Sequence, residues 1–264
     1  MIKRIGIGVV AAVLFSAGML VEGNAEEHAL QAASERVIPA VQAASQLMNV
    51  SSPASPNQGV KVETRTMEKS LPGASIKAEY PHISGLKNKS VQRKLNSFFK
   101  ARAEAFVGKS VQETKQSQPS PSGHKYEFLG GYNLTYNKNG ILSLYEQTYA
   151  YTGGAHGNSL REGMTFRLQD GKLLTLDELL RANPDYRQIV DPAIAQQLQQ
   201  TPGYFGNFKT VGPNPSYYVK DEGIVIFFPL YEYLPYVNGF PEFYFPFSQL
   251  LPAGTNPFDF TRRN

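Results

Sequence analysis

Along this chain hydrophobic and polar positions alternate, then take a longer period, then alternate again. Val60-Lys61-Val62-Glu63-Thr64-Arg65-Thr66 alternates and predicts a strand, and Ile76-Lys77-Ala78-Glu79-Tyr80 predicts another beyond the Pro72-Gly73 turn. Val91, Leu95, Phe98, Phe99 and Phe106 then recur at helical spacing behind Asn88 or Ser90 as caps, with most basic residues on the other face. Tyr126, Phe128, Tyr132, Leu134 and Tyr136 fall on one face of an extended strand, which Gly130-Gly131 is expected to interrupt. Asn139-Gly140 tolerates the positive φ of a tight hairpin, and residues 141–151 return as its partner. A further strand over 163–168 turns at Asp170-Gly171. Leu173, Leu174 and Leu176 lead into a short helix at 177–181. Asn183-Pro184 predicts the start of another helix, a cap followed by proline at the first helical position, with Pro192 expected to kink or split it. Strands over 224–228 and 243–247 close the pattern. Antiparallel strands in groups, with helices between the groups, predict an α+β fold in which helices pack on an antiparallel sheet.

The ends of the chain read differently. Lys3 and Arg4 precede an apolar segment over 5–21, followed by Gly23-Asn24-Ala25, the order of a secretory signal peptide over 1–25 cleaved after Ala25. An uncleaved anchor is the alternative for this segment. Residues 26–59, Ala- and Gln-rich and then Ser- and Pro-rich, read as a flexible tether. The globular part is expected over 60–251, as one domain or as subdomains 60–155 and 156–251, with a C-terminal tail at 252–264. A secreted or cell-wall-associated protein follows. Four residues, Met1 to Arg4, precede the apolar segment.

The net charge of +4 hides an asymmetry. Residues 61–110 hold eleven Lys and Arg against four Glu, whereas residues 221–261 hold five acids and no base. The acidic half can attract a basic partner, and the basic half can lie against an anionic wall. An export signal with so modest a charge argues against nucleic acid. Cysteine is absent, so no disulfide supports the fold.

Candidate chemistry is sparse. The four histidines, His28, His82, His124 and His156, form no His-x-x-x-His, and no Gly-x-Ser-x-Gly or phosphate loop with Lys occurs. No metal site and no cofactor are therefore expected. The best enzymatic constellation is His156 with Glu146 or Glu162 and Ser159. A structural account competes with it: the glycines of Gly153-Gly154-Ala155-His156-Gly157 allow a compact turn that the imidazole fixes through turn carbonyls. The densest aromatic stretch is 217–251, which also carries four prolines. Between its two strands lies a Pro- and Tyr-rich connection, read either as a shaped recognition loop or as core filling. The loop reading makes Pro229, Tyr231, Glu232, Tyr233, Pro235 and Tyr236 one side of a binding site. Thr152, Gly153, Gly154 and His156 form the other. Glu232 either fixes the loop through backbone N–H groups or presents charge to a partner.

Three segments together resemble a known family: Tyr151-Thr152-Gly153-Gly154-Ala155-His156-Gly157, Asp170-Gly171-Lys172-Leu173-Leu174-Thr175-Leu176-Asp177-Glu178-Leu179, and the stretch from Asp221-Glu222-Gly223-Ile224-Val225 to Pro246. The resemblance is to the exported bacterial domain of unknown function found outside the membrane in the anti-sigma-V factor. Similar domains precede the catalytic part of some peptidoglycan deacetylases, and the anti-sigma factor has a cytoplasmic sigma-binding part ahead of a membrane span. With four residues before the apolar segment, no sigma factor is expected as a partner here. The resemblance spans roughly 60–251, and implies a non-catalytic module at the cell surface whose partner is lysozyme or a similar muramidase. Binding of peptidoglycan glycans is the alternative, and hydrolysis of wall material through His156 a third.

Overall fold

The computed structural model describes residues 59–116, 123, 125–154 and 156–260. The signal-peptide expectation and all of the tether except Gly59 lie outside these residues. Among them, nine strands form two sheets, one of six strands in the order β1 to β6 and one of three in the order β7 to β9.

Strand β1 (Lys61–Leu71) pairs antiparallel with β2 (Ala74–Ser84) around Pro72-Gly73. Helix α1 (Lys89–Gln116) follows. The Oδ1 of Asn88 accepts from the backbone N–H groups of Ser90 and Val91 at 3.0 and 3.2 Å, which satisfies two donors of the first turn. At 1.5 Å per residue α1 runs about 40 Å, enough to return the chain to the start of β2. Strand β3 (Tyr126–Lys138) therefore lies parallel to β2, Ala74 opposite Tyr126. This is the parallel join in a sheet whose other neighbours, β4 (Ile141–Tyr151), β5 (Asn158–Arg167) and β6 (Lys172–Leu173), all pair antiparallel. The α+β class holds, and the antiparallel expectation gains this crossover. Asn139 and Gly140 turn the β3–β4 hairpin with φ of 56° and 72°.

Gly130-Gly131 does not interrupt β3. A Cβ at Gly130 would lie 3.1 Å from the ring of Phe106, so this position gives the helix room instead. The irregularity falls later, between Leu134 and Tyr136. The cut between 155 and 156 falls within one sheet, since Ala150 of β4 faces Asn158 of β5.

Both faces of β4 are covered. Leu142 and Leu144 join Val91, Leu95 and Phe99 of α1 in one core cluster, with Met164 and Phe166 from β5. Ile141, Ser143 and Tyr145 point the other way, toward the smaller sheet of β7 (Tyr217–Lys220), β8 (Gly223–Phe227) and β9 (Glu242–Pro246). The buried Ser143 Oγ lies 2.8 Å from Thr165 Oγ1 and accepts the N–H of Val219 at 2.9 Å, so a side chain satisfies a backbone donor of β7. Gly163 lets the two sheets touch: a Cβ there would run into the carbonyl of Tyr217.

The largest core cluster forms on the smaller sheet with α2 (Leu176–Leu179), α3 (Arg187–Gln199) and α4 (Phe247–Leu250). Thr175 and Glu178 close α2 with a capping box, and α2 ends at Leu179 rather than 181. Helix α3 starts at Arg187, later than expected, because Asn183 Oδ1 accepts from Asp185 N–H and forms a turn first. It also runs unbroken through Pro192, which is exposed, so water can reach the carbonyl that loses its partner. Residues 252–260 are fastened to this core. Arg181 donates to the carbonyls of Pro257 and Asp259, and Phe258 packs on Tyr136 and Phe247.

Candidate recognition site

The site begins where β4 leaves the covered part of the sheet. Tyr145, Gln147, Tyr149 and Tyr151 follow one another on the face toward the smaller sheet, because side chains alternate along a strand. The turn after Tyr151 uses φ of 90° at Gly153 and 111° at Gly154, values that glycine adopts without steric cost. The Tyr151 hydroxyl donates to the Gly154 carbonyl at 3.1 Å. At Gly157 the ring of Tyr149 occupies the space a Cβ would need. His156 Nδ1 lies 2.8 Å from the Gly157 carbonyl. A carbonyl only accepts, so Nδ1 carries the hydrogen and donates it. The turn-fixing role expected of His156 is thus present in the geometry.

The second element is the loop between β8 and β9. The N–H of Phe228 donates to the carbonyl of Pro241 at 3.1 Å and closes its neck. Inside, Tyr233 and Leu234 are buried, and Tyr233 meets Phe208 and Phe228 edge to face at 5.3 and 4.8 Å between centroids. Neighbouring residues fasten the loop: Phe205 N–H donates to Tyr233 O at 3.0 Å and Asn207 Nδ2 to Glu232 O at 3.1 Å. Pro235 rests over Gly203. Tyr231 is 51 % exposed and takes a left-handed φ of 64°, a conformation that costs a residue with a Cβ on the order of 1 kcal/mol.

The two elements meet. The imidazole of His156 stacks on Tyr236 at 4.3 Å with the planes 18° apart. The Tyr231 hydroxyl lies 3.4 Å from His156 Nε2, and its ring stands 5.7 Å from that of Tyr236. Burial, then the Tyr231 hydroxyl nearby, raises the Tyr236 phenol. Pro229, Thr152 and Gly154 are exposed at the rim, with Gly153 partly covered between them. Val237 at 89 % and Phe205 at 50 % exposure are further exposed apolar residues of this part of the chain. Tyr233, in contrast, is no surface residue. Its ring fills the core beneath the loop, and burial, followed by the Glu232 carboxylate on its hydroxyl, pushes the phenol up to about 12. Glu232 thus engages a side chain, with its backbone carbonyl held by Asn207.

Sequence reasoning missed the group behind this patch. The side chain of Arg161 is only 7 % exposed. Its guanidinium carbon lies 4.2 Å from the ring centroids of both Tyr145 and Phe240. Its Nε and Nη2 donate to Gln147 Oε1 at 3.1 and 3.0 Å, and Nη1 pairs with Glu242. Nothing in the pattern separates this arginine from a solvated one on a strand.

The enzymatic constellation is not assembled. Glu146 and Glu162 face each other across β4 and β5, and Arg102 of α1 bonds both, each at 2.6 Å. Burial is the strongest influence on either partner. On Glu146 it outweighs the pull of Arg102 and raises the carboxyl, whereas on Arg102 two carboxylates together outweigh it and raise the guanidinium. His156 bonds and stacks with Tyr231 and Tyr236 instead, and Ser159 sits opposite Tyr149. Among the described residues no three His, Asp or Glu side chains cluster so as to hold a metal. A cleft of about 390 Å³ lies away from the patch, between Asn139, Glu222 and residues 255–258.

Residues 68–159 match the family model described as Deacetylase PdaC, and residues 177–248 match that of a protein of unknown function (DUF3298). The chain is 24 % identical over 186 residues to the anti-sigma-V factor RsiV of Bacillus subtilis (strain 168), covering 66 % of this chain and 63 % of that protein. It therefore spans less than two thirds of that curated relative. A crystal structure of a DUF3298 family member from Bacteroides fragilis shares the fold, with a TM-score of 0.55 and 17 % identity over 73 % of this chain and 92 % of the other. A DUF3298 family protein from Pseudomonas aeruginosa aligns with a TM-score of 0.47 and 14 % identity, over 75 % of this chain and 99 % of the other. The turn that carries His156 thus lies in a PdaC-like segment and the loop that carries Tyr231 and Tyr236 in a DUF3298-like one, and the likeness to the anti-sigma-V factor bears out the resemblance read from the sequence.

Proposed function

We propose that this chain is an exported, non-catalytic recognition domain that binds a basic muramidase of the lysozyme type through the patch of His156, Tyr231 and Tyr236. One observation carries this reading: two segments far apart in the sequence converge on an exposed aromatic patch whose backbone is already held in place. A fastened loop loses little entropy on binding, and tyrosine supplies large contact area with few rotatable bonds. Charge supports a basic partner, since residues 221–261 hold five acids and no base. The commitment of Glu146 and Glu162 to Arg102 supports a non-catalytic role. The likeness to the anti-sigma-V factor supports the choice of muramidase through the lysozyme receptor that the resemblance implies.

The test is capture of the purified domain on immobilised lysozyme, beside co-sedimentation with purified peptidoglycan. Retention by lysozyme without pelleting is the expected result. Pelleting without retention assigns the patch to wall glycans. Export is tested by sequencing the N-terminus of protein from culture supernatant, which should begin at Glu26. Full-length protein confined to membranes would establish the anchor instead.

A further inference from the structure

We infer that Arg161 is the positioning residue of the recognition patch, the side chain that holds the β8–β9 loop in register with the His156 turn. The inference rests on the recognition reading for its effect on binding, but its geometry is independent of any partner. Arg161 stands on β5, and Gln147 directly opposite it on β4 accepts two of its hydrogen bonds. Both strands lead to the turn that carries His156. The same guanidinium reaches the other element: the ring of Phe240 packs on it at the loop's end, 4.2 Å from its central carbon, and Glu242 neutralises it at the first residue of β9. Tyr145 of β4 packs against the same guanidinium at 4.2 Å.

One planar group thus touches both elements at once, through hydrogen bonds, an ion pair and aromatic rings. A guanidinium suits this place because its donors form a rigid fork and its faces stack on aromatic rings. A lysine ammonium keeps the charge and loses both. The patch is sensitive to the arrangement because the stack of His156 on Tyr236 and the contact of His156 with Tyr231 span the same two elements. Neither ring pair can keep its geometry if the loop shifts against the turn.

The experiment compares Arg161→Lys, Phe240→Leu and Phe240→Tyr with the parent domain. Amide hydrogen exchange over 229–241 is the first readout and lysozyme affinity the second. Arg161→Lys and Phe240→Leu should speed exchange in the loop about tenfold while amides of α1 keep their protection, since a loop opens locally without global unfolding. Both should weaken binding about tenfold, mainly through faster dissociation. Phe240→Tyr keeps the ring face and should match the parent in both measurements. If Arg161→Lys proves too unstable to fold, Phe240→Leu tests the same contact from the loop side. Unchanged loop exchange in Phe240→Leu and in any folded Arg161→Lys overturns the inference. So does a loosened loop with unchanged affinity. Failure of the parent to bind lysozyme sinks the recognition reading alone, because the exchange comparison still decides whether Arg161 positions the loop.

Discussion

The ring of Tyr236 lies flat against the imidazole of His156, and this stack joins two hairpin ends that belong to different sheets. The imidazole is held from its other side by the Gly157 carbonyl, so the stack is anchored to the turn backbone. Tyr231 then leans on the pair from an exposed position of the loop.

Tyr231 separates binding from folding. Tyr231→Ala should weaken partner binding by about 1–3 kcal/mol, the range for a ring at an interface centre. Tyr231→Gly should lose binding equally yet be more stable than the alanine variant by about 1 kcal/mol, because glycine relieves the left-handed φ. Titration calorimetry and urea unfolding on the two variants check this. Equal stability would mean that the loop relaxes around the strain.

Tyr233 should behave in the opposite way. Its ring is buried, so Tyr233→Ala should cost about 3–5 kcal/mol of stability, as for other buried aromatic rings cut to alanine. A stable Tyr233→Ala variant with weakened binding would place its ring at the interface rather than in the core.

The contact between the sheets offers a third measurement. Ser143→Ala removes the acceptor of the Val219 N–H and the partner of Thr165, and should cost about 1–3 kcal/mol for the buried donor left unpaired. Gly163→Ala should cost at least about as much, because its methyl group meets the Tyr217 backbone. Chemical unfolding midpoints measure both, and a neutral Gly163→Ala would show that β5 and β7 can separate cheaply.

The partly buried carboxylate of Glu146 predicts a pH dependence. Glu146 titrates above its ordinary value of 4.5 in the folded domain, chiefly through burial. The folded state then holds this proton more tightly than the unfolded one. Its contribution to stability therefore declines as pH rises from the unfolded value through the folded one, and the penalty persists above. Glu146→Gln should remove that decline above the ordinary carboxyl value. Parallel stability profiles for the two proteins would exclude Glu146 as its source.

Local chemistry made much of the fold legible. Asn139-Gly140 marks its hairpin because few other pairs accept two positive φ values, and the stripe from Val91 to Phe106 marks α1 because core-facing residues recur every three or four positions. Other parts depend on partners distant in sequence. Strand β7 is four residues long with three consecutive buried positions, so it lacks the alternation of a half-exposed strand. Gly130 reads as an interruption until Phe106 is seen to need the space. The parallel register of β2 and β3 is a property of the crossover and leaves no local mark. At the site, the turn and the loop were each legible as punctuation around aromatic residues. Their meeting was not, nor was the inward turn of Tyr233 or the buried cation that stands behind them.

The hydrogen bond from Phe228 to Pro241 has a consequence for how such a domain can diversify. It closes the β8–β9 connection at its base, where the strands are already paired, so the exposed residues between can be exchanged or lengthened without moving the register of either strand. A change of partner then needs no change of scaffold. Each new loop would still have to fill the core where Tyr233 and Leu234 sit, and to meet Arg161 at its end and the imidazole at its tip, fixed fittings that a variable cassette can share.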